Sequence, residues 1–228
     1  MQSFDMMKVL LVFIPMLLSL TVHEYAHAFV AHRLGDDTAK LMGRMTLNPI
    51  SHLDPIGTVL IPLFGLLSGV PFFGWARPVP INPVRFTRRL RMKTGILLTA
   101  AAGPLSNLLL ALLMAVALAL LGPHVAGDIA AGQKGILVAL TRLAGYTLLI
   151  NLGLMFFNLL PVPPLDGSKV LAGFLPDRAY PVLDFIGKYS FVLFLAVLFF
   201  GGRIIGPAVL SFMGMLASLG VPIHLAFQ

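Results

Sequence analysis

The residues of this chain best suited to chemistry lie in the apolar stretch "LTVHEYAHAF", residues 20–29. His23 and His27 are four residues apart, so on a helix their side chains share one face about one turn apart. Two imidazoles at that spacing can bind one zinc ion, which lowers the pKa of a bound water, and Glu24 can accept the proton. Glu24 is the only glutamate in the chain. The alternative is a structural contact in which two interior histidines pair with one buried acid.

The elements that must hold these three residues are membrane helices. Of the 228 residues, 58% are hydrophobic and 11% are charged, which is far from the usage of a soluble domain. Several apolar runs approach or exceed the roughly 20 residues that span a bilayer. They cover residues 6–20 continuing to 30, 95–121, 135–160, 189–200 and 204–226. We therefore predict an α-helical polytopic membrane protein with a single membrane-embedded domain over residues 1–228 and no separate soluble domain.

Net charge and cysteine content narrow the function classes further. The net charge is +7, and the basic residues lie mainly in loops beside the apolar runs. This pattern indicates contact with a membrane surface and argues against a nucleic-acid partner. The chain has no cysteine, so thiolate metal ligands are excluded.

A zinc site of this type needs a third protein ligand and one open position. His32 lies nine residues after His23, on the opposite face of a continuous helix. Two aspartates remain as candidates, Asp166 in "FNLLPVPPLDG" and Asp54 in "SHLDPIG". We favour Asp166, because it follows a long apolar run and the prolines before it keep the backbone open, although it could instead cap the next helix. Asp54 and the neighbouring His52 could form a local turn or support the site from outside the ligand set.

Three stretches carry a resemblance to a known family. They are "HEYAH" at 23–27, "AGPLSNLL" at 102–109 and "FNLLPVPPLDG" at 157–167. With these motifs in this order, the chain resembles the site-2 protease family of intramembrane zinc metalloproteases, over about residues 20 to 172. We expect the small form of that family, without a PDZ domain. The sequence departs from many members at Ser168, where they have a second glycine.

The resemblance implies roles for particular residues. It implies one zinc ion per chain, bound by His23, His27 and Asp166, with Glu24 as the general base. It also implies that Asn158 helps to hold the substrate carbonyl or the developing oxyanion. Considered by itself, Asn158 would be an amide at a helix end that hydrogen-bonds the backbone. Asn107 in "GPLSN" is predicted to be a polar residue of helix packing.

The activity implied by the resemblance is cleavage of a peptide bond in or near a transmembrane segment, that is, regulated intramembrane proteolysis. The expected partners are a single-span membrane-protein substrate and the lipid bilayer. Because a spanning helix hides its peptide bonds, the substrate must unwind locally before it is cut. We predict short membrane-associated β segments, with an exposed edge strand at residues 40–47 that captures the unwound substrate.

The position of the predicted zinc ligands also implies a topology. His27 lies late in the first apolar run and Asp166 ends the run that begins near residue 135, so both run ends must meet at one depth. The segment 57–69 is short and rich in glycine, which is more typical of a re-entrant than of a spanning segment. We therefore predict about five to six transmembrane helices, with five full spans around a re-entrant hairpin at 56–73.

The basic residues assign the two faces of this topology. The larger set is assigned to one face: Arg33, Lys40, Arg44, Arg77, Arg85, Arg88, Arg89, Arg91, Lys93, Lys169, Arg178 and Lys188. The opposite face has Lys8, Lys134 and Arg203, and Arg142 falls inside a span. By the positive-inside rule the first face is cytoplasmic, so we predict an external N-terminus and an active site open towards the cytoplasm, in the plasma membrane.

Three other classes of protein could use such a site. A metal transporter would place ligands along a pathway through several spans and would not need Glu24 as a base. A zinc-stabilised membrane scaffold would bind the metal without proteolytic activity. A membrane hydrolase of lipids or small amphiphiles would share the whole zinc site with a protease.

Overall fold

The structure, a computed structural model, describes residues 6–68 and 74–228. Within these ranges the regular secondary structure is helical, and no β-strand occurs. The α-helices are α1 (Met6–Arg33), α2 (Thr38–Leu41), α3 (Ile61–Ser68), α4 (Met92–Ala130), α5 (Ile136–Asn158), α6 (Asp166–Phe174), α7 (Tyr180–Lys188), α8 (Ser190–Phe200) and α9 (Gly202–Ser218). A π-helical segment, Pro55–Leu60, leads into α3, and short 3-10 turns are at Pro49–His52, Pro83–Arg85, Asp177–Ala179 and Ile223–Phe227.

Three of the described helices are long and apolar enough to cross a membrane. They are Val9–Arg33 within α1, the 39-residue α4 and the 23-residue α5. A fourth span results if α7 and α8, which meet at a bend of 67°, are counted together. The chain is therefore an integral membrane protein, and its described residues contain three to four candidate spans, fewer than the five full spans predicted.

The helices that form in the last two apolar runs are shorter than the runs themselves. α8 has 11 residues and α9 has 17, and at 1.5 Å per residue even α9 is only about 25 Å long. Gly220 has a φ of +91°, which ends the helical path, and Pro222 cannot continue it. The chain instead turns back, and Ile223–Phe227 packs against α4 and α5.

Helices α1, α4 and α5 form the framework that carries the predicted site. Helix α4 packs along α5, and α1 contacts both. Small residues on α4, such as Ala111 and Ala115, face Leu148 and Leu152 of α5 in the buried core. Gly145 of α5 admits the tail, because a Cβ there would lie 2.1 Å from the Cβ of Ala226. Close backbone approach through small residues is typical of membrane helix packing.

The segment predicted as a hairpin returns to the point where it began. The backbone N–H of Trp75 donates to the carbonyl of Gly57 at 3.2 Å, and the hydroxyl of Thr58 donates to the carbonyl of Trp75 at 2.6 Å. Gly57 permits this contact, since a Cβ there would lie 2.2 Å from the indole ring. The two ends of the segment are thus hydrogen-bonded to each other. Residues 69–73 of the predicted hairpin lie outside the described residues.

The strand predicted at residues 40–47 is wrong. Helix α2 occupies its first residues, and Gly43 then has a φ of +67°, where the N–H of Arg44 donates to the carbonyl of Ala39 at 2.8 Å. A left-handed glycine turn of this kind overrides the alternation of polar and apolar residues. The irregular segment of residues 75–82, here called the proline segment, lies nearer to the site. Its prolines favour extended backbone at the preceding residues.

The proline segment is tied to the end of α1 through a buried carboxylate. Asp36 is 1% exposed and accepts hydrogen bonds from the N–H groups of Asn82 at 2.6 Å and Thr38 at 3.0 Å, as well as from the Thr38 hydroxyl. Burial raises the pKa of Asp36, but these hydrogen bonds outweigh burial and hold the pKa below its usual value. The carboxylate form therefore anchors the proline segment to α1.

Candidate metal centre

The three predicted metal ligands lie together at the junction of α1 and α6. The Nε2 atoms of His23 and His27 are 3.1 Å apart. The Oδ2 atom of Asp166, the first residue of α6, is 3.2 Å from Nε2 of His23 and 3.1 Å from Nε2 of His27. All three side chains are buried. The i, i+4 spacing on α1 brings the imidazoles together, and the turn before α6 brings the carboxylate to them.

This arrangement of donor atoms fits a zinc ion. Zinc binds histidine nitrogen and carboxylate oxygen at about 2.0–2.2 Å with tetrahedral geometry, which places the ligand atoms about 3.3 Å from one another. The three distances of 3.1–3.2 Å agree with one triangular face of such a tetrahedron. Two imidazoles and one carboxylate leave a fourth position open, as a catalytic zinc site requires.

The outer nitrogen of each imidazole has a carbonyl acceptor that fixes its tautomer. Nδ1 of His23 lies 2.6 Å from Oδ1 of Asn107, and Nδ1 of His27 lies 2.7 Å from the backbone carbonyl of Thr99. Since these oxygens only accept, Nδ1 carries the proton in both rings, and the lone pair of Nε2 is left for a metal. Gly103 on α4 makes the approach possible, because a Cβ there would lie 2.4 Å from Nε2 of His27 and 2.5 Å from Cε1 of His23.

A buried polar network continues from the Nδ1 side of His23, away from the candidate metal position. The amide nitrogen of Asn107 donates to Oδ1 of Asn151 at 2.8 Å, and the amide of Asn151 donates to the Ser19 hydroxyl at 2.7 Å and to the carbonyl of Thr147 at 2.8 Å. Asn107, Asn151 and Ser19 are fully buried. The sequence alone predicts a packing role for Asn107 and no role for Asn151 or Ser19, although Ser19 lies four residues before His23 on the same helix face.

Replacing Asn107 should weaken the metal site without touching a ligand. In Asn107→Leu the Nδ1–H of His23 and the amide oxygen of Asn151 lose their partner, so zinc affinity should fall about 10- to 100-fold. A competition titration against a fluorescent zinc chelator measures this fall. Asn48→Leu, on an exposed loop, is the matched control and should bind zinc like the wild type. Wild-type affinity in Asn107→Leu would show that the network does not position His23.

Glu24 lies beside the three candidate ligands and is held by the proline segment. Its Oε2 atom accepts a hydrogen bond from the N–H of Val79 at 2.8 Å, and the side chain is mostly buried. Pro78 and Pro80 flank Val79 and have no N–H, so Val79 provides the one amide donor of this tripeptide. The contact fixes the carboxylate on the side of the metal centre that faces the cavity.

A cavity of about 740 Å³ opens in front of the metal centre. Apolar side chains make up most of its wall, and the polar and charged residues that line it are His23, Glu24, His27, Trp75, Thr99, Asn158, Asp166 and Lys169. Asn158 ends α5 and donates its amide N–H to the carbonyl of Leu154 at 3.0 Å, so it reaches the cavity while hydrogen-bonding the backbone. Nζ of Lys169 is 3.8 Å from Oδ1 of Asp166.

The rival candidates for the third ligand lie elsewhere. Asp54 caps the π-helical segment, where its carboxylate accepts from the N–H groups of Ile56 at 3.0 Å and Gly57 at 2.7 Å. His52 contacts the carbonyl of Thr46 through Nε2 at 2.9 Å. His32 pairs with an aspartate on the loop after α1. Asp166 therefore lies beside the two histidines. Asp54 instead forms a local turn, which was the other role considered for it in the sequence.

Comparison with known proteins gives one family and several relatives. The profile described as "Peptidase family M50" matches residues 11–200. The chain is 43% identical over 184 residues to "Putative zinc metalloprotease YwhC" of Bacillus subtilis, covering 81% of this chain and 78% of that protein. It is 33% identical over 185 residues to "Putative zinc metalloprotease Rip2" of Mycobacterium tuberculosis, covering 79% of this chain and 64% of that protein, which is slightly less than two thirds. No solved structure matches this chain.

Metal-binding side chains beside a carboxylate, on helices long enough to cross a bilayer, are the features of a membrane-embedded metal-dependent hydrolase. Because the family profile covers most of the chain, this protein belongs to peptidase family M50, the site-2 protease family. It is a zinc metalloprotease, as its resemblance implied.

Proposed function

We propose that this protease cleaves a peptide bond in or near the transmembrane segment of a single-span membrane protein. The observation that carries the proposal is the buried set of His23, His27 and Asp166 beside Glu24, at a cavity lined in part by the membrane-length helices α1, α4 and α5. In this proposal the first three residues bind zinc, which when bound supplies a Lewis acid and lowers the pKa of water. Glu24 accepts a proton during attack and returns it to the leaving amine.

The substrate must present extended backbone to this cavity, because a helix leaves no peptide bond accessible. The proline segment lines the cavity through Trp75, Pro78 and Val79, whereas the region first predicted as the edge strand does not line it. We place the capture of an unwound substrate strand on the proline segment for this reason. Asn158 remains our candidate for holding the substrate carbonyl, since its amide has a second N–H beyond the one given to Leu154.

The proposed topology is a re-entrant hairpin between the first and second spans. The hydrogen bonds between the two ends of the segment, at Gly57 and Trp75, support this topology, because a chain that returns to its entry point has not crossed the bilayer. The end of α1, the start of α4 and the start of α6 then share one face. That face has most of the basic residues, so we propose that it is cytoplasmic, that the membrane is the plasma membrane and that the N-terminus is external.

Cysteine labelling tests this topology, and the cysteine-free chain is a ready background. Single substitutions Asp37→Cys, Arg88→Cys and Asp177→Cys should all react with a membrane-impermeant maleimide from the same side of sealed vesicles. Lys134→Cys, in the turn between α4 and α5, should react from the other side. If Asp37→Cys and Arg88→Cys react from opposite sides, the segment between them crosses the bilayer and the proposal fails.

The proposed function itself is tested with purified protein in lipid vesicles. Zinc content is measured together with cleavage of a panel of single-span membrane proteins, lipid hydrolysis and zinc flux across the vesicle wall. A protease contains zinc and cuts at least one protein at a site in or near its span. Zinc flux would indicate a transporter, lipid breakdown a lipid hydrolase, and bound zinc without any reaction a scaffold.

A further inference from the structure

Thr99 on α4 has a buried hydroxyl without a hydrogen-bond partner among the described residues. Its side chain belongs to a residue that is 3% exposed. The other buried threonines all use their hydroxyls: Thr21 donates to the carbonyl of Leu17, Thr58 to Trp75, Thr141 to Leu137 and Thr147 to Leu143. Helical threonines commonly bond the carbonyl four residues earlier, and Thr99 does not.

The location of this hydroxyl connects it with the metal centre. The backbone carbonyl of Thr99 is the acceptor that fixes His27, and the residue lines the same cavity as Glu24 and Asp166. Five buried polar or charged side chains line that cavity, and four of them have side-chain hydrogen bonds or ion pairs within the described chain. Thr99 is the exception: the residue lines the cavity, and its buried hydroxyl is a donor without a partner among the described residues.

A buried hydroxyl without a partner destabilises a fold, and native structures contain few such groups. A ligand in the cavity would supply the missing partner. If the ligand is an unwound peptide, its carbonyl oxygens lose their helical donors and enter a mostly apolar space. Each of them then needs a donor from the wall, and a threonine hydroxyl has one O–H donor whose hydrogen can turn towards an acceptor.

We propose that the Thr99 hydroxyl is a substrate-binding subsite that donates a hydrogen bond to a peptide carbonyl oxygen beside the metal centre. This proposal rests on the proposed function, because it takes an extended peptide as the ligand. Thr99 thereby serves two purposes: its backbone carbonyl orients His27, and its side chain holds the peptide.

The test compares three variants in their binding of one probe, the peptide hydroxamate dansyl-Leu-Leu-NHOH, to the zinc-loaded protein. Thr99→Val keeps the shape of the side chain without the hydroxyl, and Thr99→Ser keeps the hydroxyl. Thr141→Val removes an equally buried hydroxyl that does not line the cavity. Fluorescence titration should give a dissociation constant raised about three- to ten-fold in Thr99→Val, the effect of one hydrogen bond. Thr99→Ser and Thr141→Val should bind like the wild type.

Thermal unfolding and zinc content separate this role from a structural one. Thr99→Val removes an unpaired buried hydroxyl, so its melting temperature should equal or exceed that of the wild type, with full zinc content. Unchanged hydroxamate affinity in Thr99→Val, or a loss of zinc or of melting temperature, would overturn the proposal. The proposed function fails separately if the zinc-loaded wild type cuts none of the single-span proteins, a result that leaves the hydroxamate comparison valid.

Discussion

Glu24→Gln is expected to abolish proteolysis and to leave the zinc content at the wild-type level. The amide cannot accept a proton, and loss of a general base typically lowers a rate about 10²- to 10⁴-fold. The amide oxygen can still accept the hydrogen bond from Val79, so the side chain should keep its place in the cavity. The zinc content should persist because the proposed ligands are His23, His27 and Asp166.

The measurement pairs cleavage of a membrane substrate with elemental zinc analysis on the same sample. Glu24→Asp is a useful companion variant, because it keeps the carboxylate and shortens its reach by one methylene. Cleavage by Glu24→Gln at a rate near that of the wild type would remove Glu24 from the mechanism. Loss of zinc in Glu24→Gln would instead make Glu24 part of the metal site.

Asp166→Asn is expected to lose zinc, and proteolysis with it. Oδ2 of Asp166 lies within 3.2 Å of both imidazole Nε2 atoms, and a neutral amide oxygen is a weaker zinc ligand than a carboxylate. The fall in zinc affinity should exceed the roughly 10- to 100-fold effect of replacing an outer partner such as Asn107. Chelator competition at fixed pH measures both variants on one scale.

Asp54→Asn is the matched control for this loss. Asparagine caps a helix almost as well as aspartate, so the turn before the π-helical segment should survive and zinc should bind normally. If Asp54→Asn lost the metal and Asp166→Asn retained it, the third ligand would be misassigned. Far-ultraviolet circular dichroism of both variants shows whether the helices remain intact.

The parts of the site that depend on local spacing were predictable from the sequence. Helical periodicity alone places His23 and His27 on one face. Asp166 was predicted as the third candidate ligand because few other ligand residues are available and because of the motif around it. The network of Asn107, Asn151 and Ser19 was not predictable in the same way. The bonds between its three members join different helices, so the network depends on how those helices are rotated against one another.

The errors in the predicted fold have a similar origin. Alternating residues at 40–47 suggested a strand, but the glycine turn at Gly43 decides the local backbone. Apolar runs suggested five full spans, but the length of an apolar run is not the length of a helix: the run at 204–226 bends at Gly220 and packs its end against α4 and α5. Composition predicts the membrane environment well, and it predicts less well where each helix ends.

The close contact at Gly103 has a consequence for how functional residues are recognised. A Cβ at position 103 would lie within 2.6 Å of ring atoms of both His23 and His27, so any larger residue would displace the two imidazoles. A mutational scan would therefore score Gly103 as severely as His23 or His27, although it has no group that binds, donates or reacts. Intolerance to substitution here measures the clearance between the α4 backbone and the two imidazole rings, and chemistry has to be assigned from the atoms themselves.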